Sequence, residues 1–206
     1  MLSDARLYLV TPALEPARLQ AMLDGGVDLV QLRMKEATDA DVLREAAWMR
    51  AACAAAGVGF LLNDRPDLAR KAGADGVHVG QDDVAAAQAR ATVGAGAIVG
   101  LSTHAPEQLT RTPPEADYVA VGPVWETPTK PGRAAAGLAY VAHAAAQADA
   151  RPWFAIGGID ATNVRDVIEA GARRVVVVRA LVDATDPAQA AATLKAALTE
   201  APLGIT

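Results

Sequence analysis

The sequence predicts a single (β/α)8 TIM barrel that spans residues 1–206. Three observations predict this fold class. Eight short apolar runs recur along the chain, helical segments rich in Ala, Leu, Glu and Arg separate them, and several of these segments end in glycine just before the next run. Strand and helix repeated eight times within 206 residues is the pattern of a closed parallel barrel at the small end of its size range.

The eight runs have the length and the apolar, β-branched composition of buried strands. In chain order they cover residues 7–11, 29–34, 60–64, 76–80, 98–102, 118–123, 153–158 and 174–181. A doubly wound open sheet is the alternative architecture. In that fold G-x-G-x-x-G commonly follows the first strand, whereas this chain reads VTPALEP there, so the barrel is favoured.

A weak internal repeat supports the barrel. The chain reads DGGVDLVQL, KAGADGVHVG, EADYVAVG and EAGARRVVVV at four helix-to-strand junctions. Three of these segments place a glycine just after a helix, where the backbone commonly turns through a left-handed conformation. Each repeat therefore predicts a helix end followed by a buried strand.

Composition limits the classes of partner. With 52% hydrophobic residues the chain has enough apolar material for one domain with a large core. A net charge of −5 argues against nucleic acid or an anionic membrane surface as the main partner. The single cysteine, Cys53, forms no internal disulfide, no apolar run approaches the roughly 18 residues of a membrane helix, and the N-terminus lacks a secretory pattern. We expect a cytoplasmic protein that acts on small molecules, with homo-oligomerisation left open.

The first candidate site follows strand 2. In a TIM barrel, polar side chains at the carboxyl ends of strands mark the active site. Strand 2 runs into Gln31, Leu32, Arg33, Met34 and Lys35, and alternate residues of a strand share a face. One amide and two cations on one face predict a polyphosphate site, with arginine binding bidentately and lysine acting as a point charge. The alternative is a solvated strand end, which the helices around a barrel disfavour.

Carboxylates follow the next two strands. Strand 3 ends in Asn63-Asp64, and strand 4 is followed by Gln81-Asp82-Asp83. Each group alone would be read as a helix cap. Together they place oxygen ligands beside the cations of strand 2, which is how Mg²⁺ is usually held with substrate phosphate and water. The three histidines lack metal-ligand spacing, and His78 within strand 4 reads as a satisfied core imidazole, so zinc is not expected.

A second anion site is predicted over strands 6 to 8. The loop at 122–137 is rich in proline and glycine and has the length of a functional lid. Loops after strands 7 and 8 form the phosphate site of many barrels through backbone N–H groups. The residues concerned are Thr127, Pro128, Thr129 and Lys130 in the loop after strand 6, Gly158 at the end of strand 7, and Val178 and Arg179 towards the end of strand 8. The Ser102 hydroxyl at the end of strand 5 suits substrate binding or helix capping equally.

The motifs LYLVT, QLRMK, LLND, GVHVGQDD, GLSTH, AVGPVWETPTK, AIGGI and VVVVRA stand in the order and at the spacing found in thiamine-phosphate synthases. The sequence resembles that family over essentially its whole length. The resemblance implies a transferase that joins 4-amino-2-methyl-5-(diphosphooxymethyl)pyrimidine to a thiazole phosphate, giving thiamine phosphate and pyrophosphate.

The resemblance also implies roles for residues. The pyrimidine diphosphate is expected at Gln31, Arg33, Lys35, Asn63, Ser102 and Lys130, Mg²⁺ at Asp64 and Asp83, and the thiazole phosphate at Thr127, Thr129, Gly158, Val178 and Arg179. Arg33, Lys35, Ser102 and Lys130 are expected to take part in catalysis, while Leu32, Met34 and Pro128 complete the binding segments. Arg179 stands where we expect a serine.

Two other functions are open at this point. A related thiazole tautomerase carries a histidine after the strand 6 glycine, where this chain has Pro123. A non-catalytic barrel that only binds a thiamine intermediate would not need both the carboxylates and the row of cations. Both observations favour the synthase.

Overall fold

A computed structural model describes residues 2–127, 132, 134–147 and 151–200, and these residues form the closed barrel that the sequence predicts. The strands are β1 (Leu7–Thr11), β2 (Leu29–Leu32), β3 (Gly59–Asn63), β4 (Gly76–Val79), β5 (Ile98–Thr103), β6 (Tyr118–Val121), β7 (Trp153–Ile156) and β8 (Val175–Val177). Each strand pairs in parallel with the next, and β8 pairs with β1 to close the barrel.

Helices follow the strands on the outside of the barrel. They are α1 (Pro16–Asp24), α2 (Asp39–Ala55), α3 (Pro66–Ala72), α4 (Ala86–Val93), α5 (Pro106–Thr110), α6 (Gly137–Ala145), α7 (Val164–Glu169), α8 (Arg179–Val182) and α9 (Pro187–Glu200). Proline fixes the first turn of several of them, and α3 ends in Gly73 at a φ of 64°, the left-handed end that the repeat predicts. In the described part of the chain, none of these helices is long and apolar enough to span a membrane.

Several strands end earlier than the sequence predicts, and β2 and β8 differ most in their surroundings at that point. The run at 29–34 leaves the sheet after Leu32, because the neighbouring β1 ends at Thr11, whose carbonyl accepts the last bond from the Arg33 N–H at 2.8 Å. The run at 174–181 leaves the sheet after Val177. There the Val178 carbonyl accepts hydrogen bonds from the N–H groups of residues 181 and 182, and the chain turns into α8.

The buried residues form two separate cores. The larger core lies between the strands and the surrounding helices, and Leu9, Val30 and Leu62 belong to it. The smaller core fills the barrel itself and consists of Ala5, Tyr8, Val10, Leu29, Leu61, Tyr118, Phe154 and Val176. Alternate side chains of one strand therefore enter different cores, as the pleat of a strand requires.

Three aromatic rings occupy the middle of the barrel. Tyr8, Tyr118 and Phe154 contact one another edge to face, with ring centroids 5.5 to 5.9 Å apart. Gly100 of β5 provides the space for one of them, since a Cβ atom at this position would lie 2.1 Å from Cζ of Tyr118. The glycine in β5 is thus a packing requirement of the tyrosine in β6.

The internal repeat corresponds to a recurrent contact at the amino ends of the strands. Asp28, Asp75 and Asp117 each precede a strand and accept hydrogen bonds from backbone N–H groups at the start of the preceding strand. The donors are the N–H groups of residues 6 and 7, 60, and 99, at 2.7 to 2.9 Å. These carboxylates satisfy donors that the parallel ladder leaves open at the end of the barrel opposite the predicted site.

Replacing Gly100 with alanine tests the packing of the barrel interior. We expect Gly100→Ala to lower the free energy of unfolding by about 1–3 kcal/mol, because the added methyl group forces the Tyr118 ring to move. Urea denaturation measures the change. Gly96→Ala is the matched control, because a Cβ atom there meets nothing within 4 Å. An equal loss of stability in both variants would contradict the packing argument.

Candidate functional site

A cavity of about 310 Å³ opens at the carboxyl ends of the barrel strands. Eight of the residues predicted from the sequence line it, and they are Gln31, Arg33, Asn63, Ser102, Thr127, Gly158, Val178 and Arg179. They come from β2, β3, β5 and the segments after β2, β6, β7 and β8. The barrel thus brings together side chains that are up to 148 positions apart in the sequence, from Gln31 to Arg179.

The segment after β2 divides between two environments. Gln31 and Arg33 face the cavity, and Gln31 is only 2% exposed. Leu32 and Met34 pack instead in the larger core, between the strands and the surrounding helices. The alternation of strand side chains explains this division. Any contact of Leu32 or Met34 with a ligand in the cavity would therefore be made by their main-chain atoms, and their predicted binding role stays a prediction.

Lys35 lies beside the cavity rather than in its wall. Its Nζ atom is 2.8 Å from Oδ2 of Asp64, and the lysine side chain is 44% exposed. Asp64 has a φ of 60°, a left-handed conformation that is uncommon for a residue other than glycine. Backbone strain of this kind concentrates at functional sites. The Asp64 N–H donates to the His78 carbonyl at 2.8 Å, which fixes the end of β3 to β4.

Asp64 and Asp83 form a pair of neighbouring carboxylates. The pKa of Asp64 is raised, chiefly by burial and further by Asp83, whereas Lys35 acts in the opposite direction. Oδ2 of Asp83 accepts a hydrogen bond from the Gly80 N–H at 2.9 Å, and this holds the second carboxylate at the end of β4. Within the described ranges no cluster of three or more His, Cys, Asp or Glu side chains could hold a metal. A pair of carboxylates nevertheless suits an ion that completes its shell with substrate oxygens and water.

A hydrogen-bonded chain of side chains lies below the cavity. Gln31 Nε2 donates to the Tyr8 hydroxyl, which lies 2.8 Å from the Tyr118 hydroxyl. His78 Nδ1 is 2.8 Å from the Tyr118 hydroxyl, and His78 Nε2 is 2.9 Å from Oγ of Ser102. His78 is buried and hydrogen-bonded through both ring nitrogens, as the sequence predicts, and its ring also lines the cavity.

The two tyrosines were not expected from the sequence. Burial raises the pKa of both Tyr8 and Tyr118, so both phenols stay protonated. The sequence could have indicated them, because each is an aromatic residue with a hydroxyl group at an inward-facing position of a predicted strand. His104 was also missed, although it lines the cavity and its Nδ1 lies 2.6 Å from the Gly122 carbonyl oxygen.

The far side of the cavity is built from backbone. Gly158 has a φ of 69°, and a Cβ atom there would lie 2.9 Å from Cβ of Trp125, so the segments after β6 and β7 approach closely. Arg179 begins α8, and the first N–H groups of a helix have no acceptor within the helix. Thr127 completes this side, while Pro128, Thr129 and Lys130 lie outside the described residues.

Comparison with known proteins agrees with this geometry. A sequence model described as thiamine monophosphate synthase matches residues 7–181. The thiamine-phosphate synthase of Thermus thermophilus is 53% identical over 198 residues, which cover 92% of this chain and 95% of that protein. The chain belongs to the thiamine monophosphate synthase family. The resemblance found in the sequence motifs is confirmed.

Two further relatives cover the whole barrel. The thiamine-phosphate synthase of Acidothermus cellulolyticus is 50% identical over 207 residues, covering 97% of this chain and 98% of that protein. The structure of thiamine phosphate pyrophosphorylase from Pyrococcus furiosus superposes with a TM-score of 0.88 at 26% identity, covering 97% and 98% of the two chains. Neither the tautomerase nor the regulatory barrel finds support among these relatives of the family.

Removing the Arg33 guanidinium tests the anion site. We expect Arg33→Ala to weaken binding of pyrophosphate by about 10- to 100-fold, the range for losing a charge-assisted hydrogen bond. Isothermal titration calorimetry with Mg²⁺ present measures the affinity. Arg44→Ala is the matched control, because Arg44 is exposed on α2 and pairs with Asp41. Equal weakening in both variants would show a general effect of charge instead of a site at Arg33.

Proposed function

We propose that this chain joins 4-amino-2-methyl-5-(diphosphooxymethyl)pyrimidine to a thiazole phosphate, which forms thiamine phosphate and releases pyrophosphate. Membership of the thiamine monophosphate synthase family supports this function. The observation that carries it is a cavity with an anion-binding group on each side. Arg33 lies on one side, next to Lys35, and the backbone at Gly158 and Arg179 lies on the other. Two substrates that each carry phosphate require such an arrangement.

The reaction exchanges one bond for another at the methylene carbon of the pyrimidine. The bond from this carbon to the diphosphate oxygen breaks, and both electrons leave with pyrophosphate. The electron-rich aminopyrimidine stabilises the positive carbon, and the lone pair of the thiazole nitrogen forms the new C–N bond. No proton has to move for either change, so the main task of the protein is to align the substrates and to stabilise the leaving group.

The residues on the β2 side are suited to the leaving group. Arg33 offers a planar fork of donors to the diphosphate, and Lys35 adds a positive charge at the cavity edge. Lys130, by motif match, adds a third cation. Gln31, Asn63 and Ser102 line the same cavity and supply neutral hydrogen-bonding groups for the pyrimidine.

Mg²⁺ fits the carboxylate pair at the ends of β3 and β4. Asp64 and Asp83 are close enough for one to raise the pKa of the other, and a divalent cation between them would relieve this repulsion. These two residues would hold the ion. When bound, Mg²⁺ supplies positive charge that stabilises the departing pyrophosphate. Nζ of Lys35 forms an ion pair with Oδ2 of Asp64, which orients the carboxylate.

The thiazole phosphate is assigned to the opposite side. Gly158, Val178 and Arg179 line the cavity there, and the start of α8 offers backbone N–H groups to a phosphate. Thr127 adds a hydroxyl, and the motif places Pro128 and Thr129 beside it. Arg179 is exposed at the rim of the cavity. Its guanidinium can contact the phosphate there, although its side chain is longer than that of the serine expected at this position. We also expect the enzyme to act in the cytoplasm on these small molecules, with a homo-oligomer left open.

The activity itself is the first test. Purified protein with Mg²⁺ and both phosphorylated substrates is expected to form thiamine phosphate and an equal amount of pyrophosphate. Chromatography of thiamine phosphate, together with a coupled pyrophosphate assay, follows the two products. Arg33→Ala is expected to lower kcat/KM by at least about 100-fold without loss of the folded state. Isomerisation of the thiazole without pyrophosphate release would overturn the proposal.

The metal site has a test that does not depend on turnover. We expect Mg²⁺ to raise the Tm of the wild-type protein and to have little effect on Asp64→Asn or Asp83→Asn, because ligand binding stabilises only a protein that retains its site. Differential scanning fluorimetry across a Mg²⁺ titration measures the shift. Asp67→Asn is the control, since Asp67 in the first turn of α3 pairs with Arg65, the residue before that helix. A wild-type shift that persists in both site variants would place the ion elsewhere.

A further inference from the structure

The chain of hydroxyl and imidazole groups below the cavity contains one residue that has no place in the cavity wall. Gln31, Tyr8, His78 and Ser102 all line the cavity. Tyr118 is not among the described residues that do so, yet its hydroxyl bonds to both Tyr8 and His78. We infer that Tyr118 is a positioning residue that, through His78, turns the Ser102 hydroxyl into a hydrogen-bond donor aimed at the pyrimidine ring.

The direction of the chain follows from counting protons. The Gln31 amide donates to the Tyr8 oxygen, and the Tyr8 phenol has one proton to give. Among the described residues, Gln31 and Tyr118 are its hydrogen-bond partners, so the Tyr8 proton goes to the Tyr118 oxygen. In the opposite direction the Tyr8 O–H would have no acceptor among the described residues, whereas the direction from Tyr8 to Tyr118 satisfies each donor of the chain within the protein.

The same reasoning continues through the imidazole. Because the Tyr118 oxygen accepts from Tyr8, its own proton is donated to Nδ1 of His78. Nδ1 must then carry the lone pair, and the ring proton sits on Nε2, which donates to Oγ of Ser102. The chain therefore runs in one direction, from Gln31 to Ser102, and it selects the Nε2–H tautomer of His78.

The last step determines what Ser102 presents to a ligand. Its oxygen already accepts from His78, so its hydroxyl proton is directed to the cavity that the residue lines. The Ser102 carbonyl accepts from Gln81 Nε2 at 2.6 Å, which holds the main chain in place. On the proposed function, on which this inference rests, the matching ligand group is a ring nitrogen of the aminopyrimidine, a good acceptor.

The packing below the cavity keeps Tyr118 in position. Its ring is fully buried, edge to face with Tyr8 and Phe154, and the absence of a side chain at Gly100 provides its space. A ring held on several sides keeps its hydroxyl at a fixed point between Tyr8 and His78. Replacing Tyr118 with phenylalanine would therefore remove the hydroxyl with little change in packing.

The tautomer of His78 can be observed without any substrate. In protein labelled with ¹⁵N-histidine, the nitrogen chemical shifts distinguish Nε2–H from Nδ1–H, and loss of the signals in His78→Asn assigns them. We expect the Nε2–H form in the wild-type protein and a mixture of tautomers in Tyr118→Phe. A wild-type ring protonated on Nδ1 would overturn the inference, whatever the activity of the enzyme.

Kinetics test whether the chain acts through Ser102. We expect Tyr118→Phe to raise KM for the pyrimidine diphosphate by about 3- to 10-fold, the effect of a neutral hydrogen bond, with KM for the thiazole phosphate unchanged. In a Ser102→Ala background the same change should have less than about a twofold effect, since the two residues act as one unit. Equal factors in both backgrounds would overturn the inference.

Tyr140→Phe is the matched control. The Tyr140 hydroxyl donates to Oγ1 of Thr103 at 2.8 Å on the helix side of β5, so its loss should leave both KM values unchanged. A rise in KM for Tyr140→Phe equal to that for Tyr118→Phe would overturn the inference by showing a general packing effect. Failure of the wild-type protein to form product would reject the proposed function, and the tautomer measurement would still decide the inference.

Discussion

A closed barrel of eight strands must fill its own interior with side chains from alternate strand positions, and the rest of this structure depends on how that space is filled. Tyr8, Tyr118 and Phe154 close the middle of the barrel as a layer of edge-to-face rings. Because this layer is solid, the space above it becomes a cavity with a floor instead of a channel. The tyrosine hydroxyls make that floor polar, so that it can orient the groups above it as well as support them.

Asp64 and Asp83 are not among the described residues that line the cavity, and the arrangement of their carboxylates costs stability when no ligand is bound. Asp64 has a left-handed backbone, and burial and the neighbouring Asp83 raise its pKa. Both features disfavour the folded protein and indicate a site whose geometry is maintained for binding. The opposite side holds no such cluster among the residues described, and it relies on the backbone of the segments after β7 and β8. The two sides are thus suited to different anions, a diphosphate with a cation on one and a monophosphate on the other.

The sequence predicts those features that depend on local pattern and fails where the outcome depends on distant strands. Strand alternation predicted that Gln31 and Arg33 face the cavity, and it did not hold for Lys35, which lies three residues beyond the end of β2 and pairs with Asp64. β8 ends at Val177 although its partner β1 continues to Thr11, so the run at 174–181 could not show that Arg179 begins a helix. The contact of Tyr8 with Tyr118 joins residues 110 positions apart, and only closure of the barrel brings them together.

Contacts at the opposite end of the barrel help to offset the destabilising features at the cavity end. Asp28, Asp75 and Asp117 bind backbone N–H groups at the starts of neighbouring strands, so the amino ends of the sheet are held by charge-assisted hydrogen bonds. The fourth repeat places Arg174 at the matching position, where burial lowers its pKa and, within the described ranges, its Nε has no hydrogen-bond partner. The aspartate before the strand therefore stabilises the barrel in three repeats, and the fourth repeat has an arginine in its place. Because these contacts lie at the end away from the cavity, we expect changes to Arg33 or Asp64 to leave them intact, so that variants of the site lose function while the barrel stays folded.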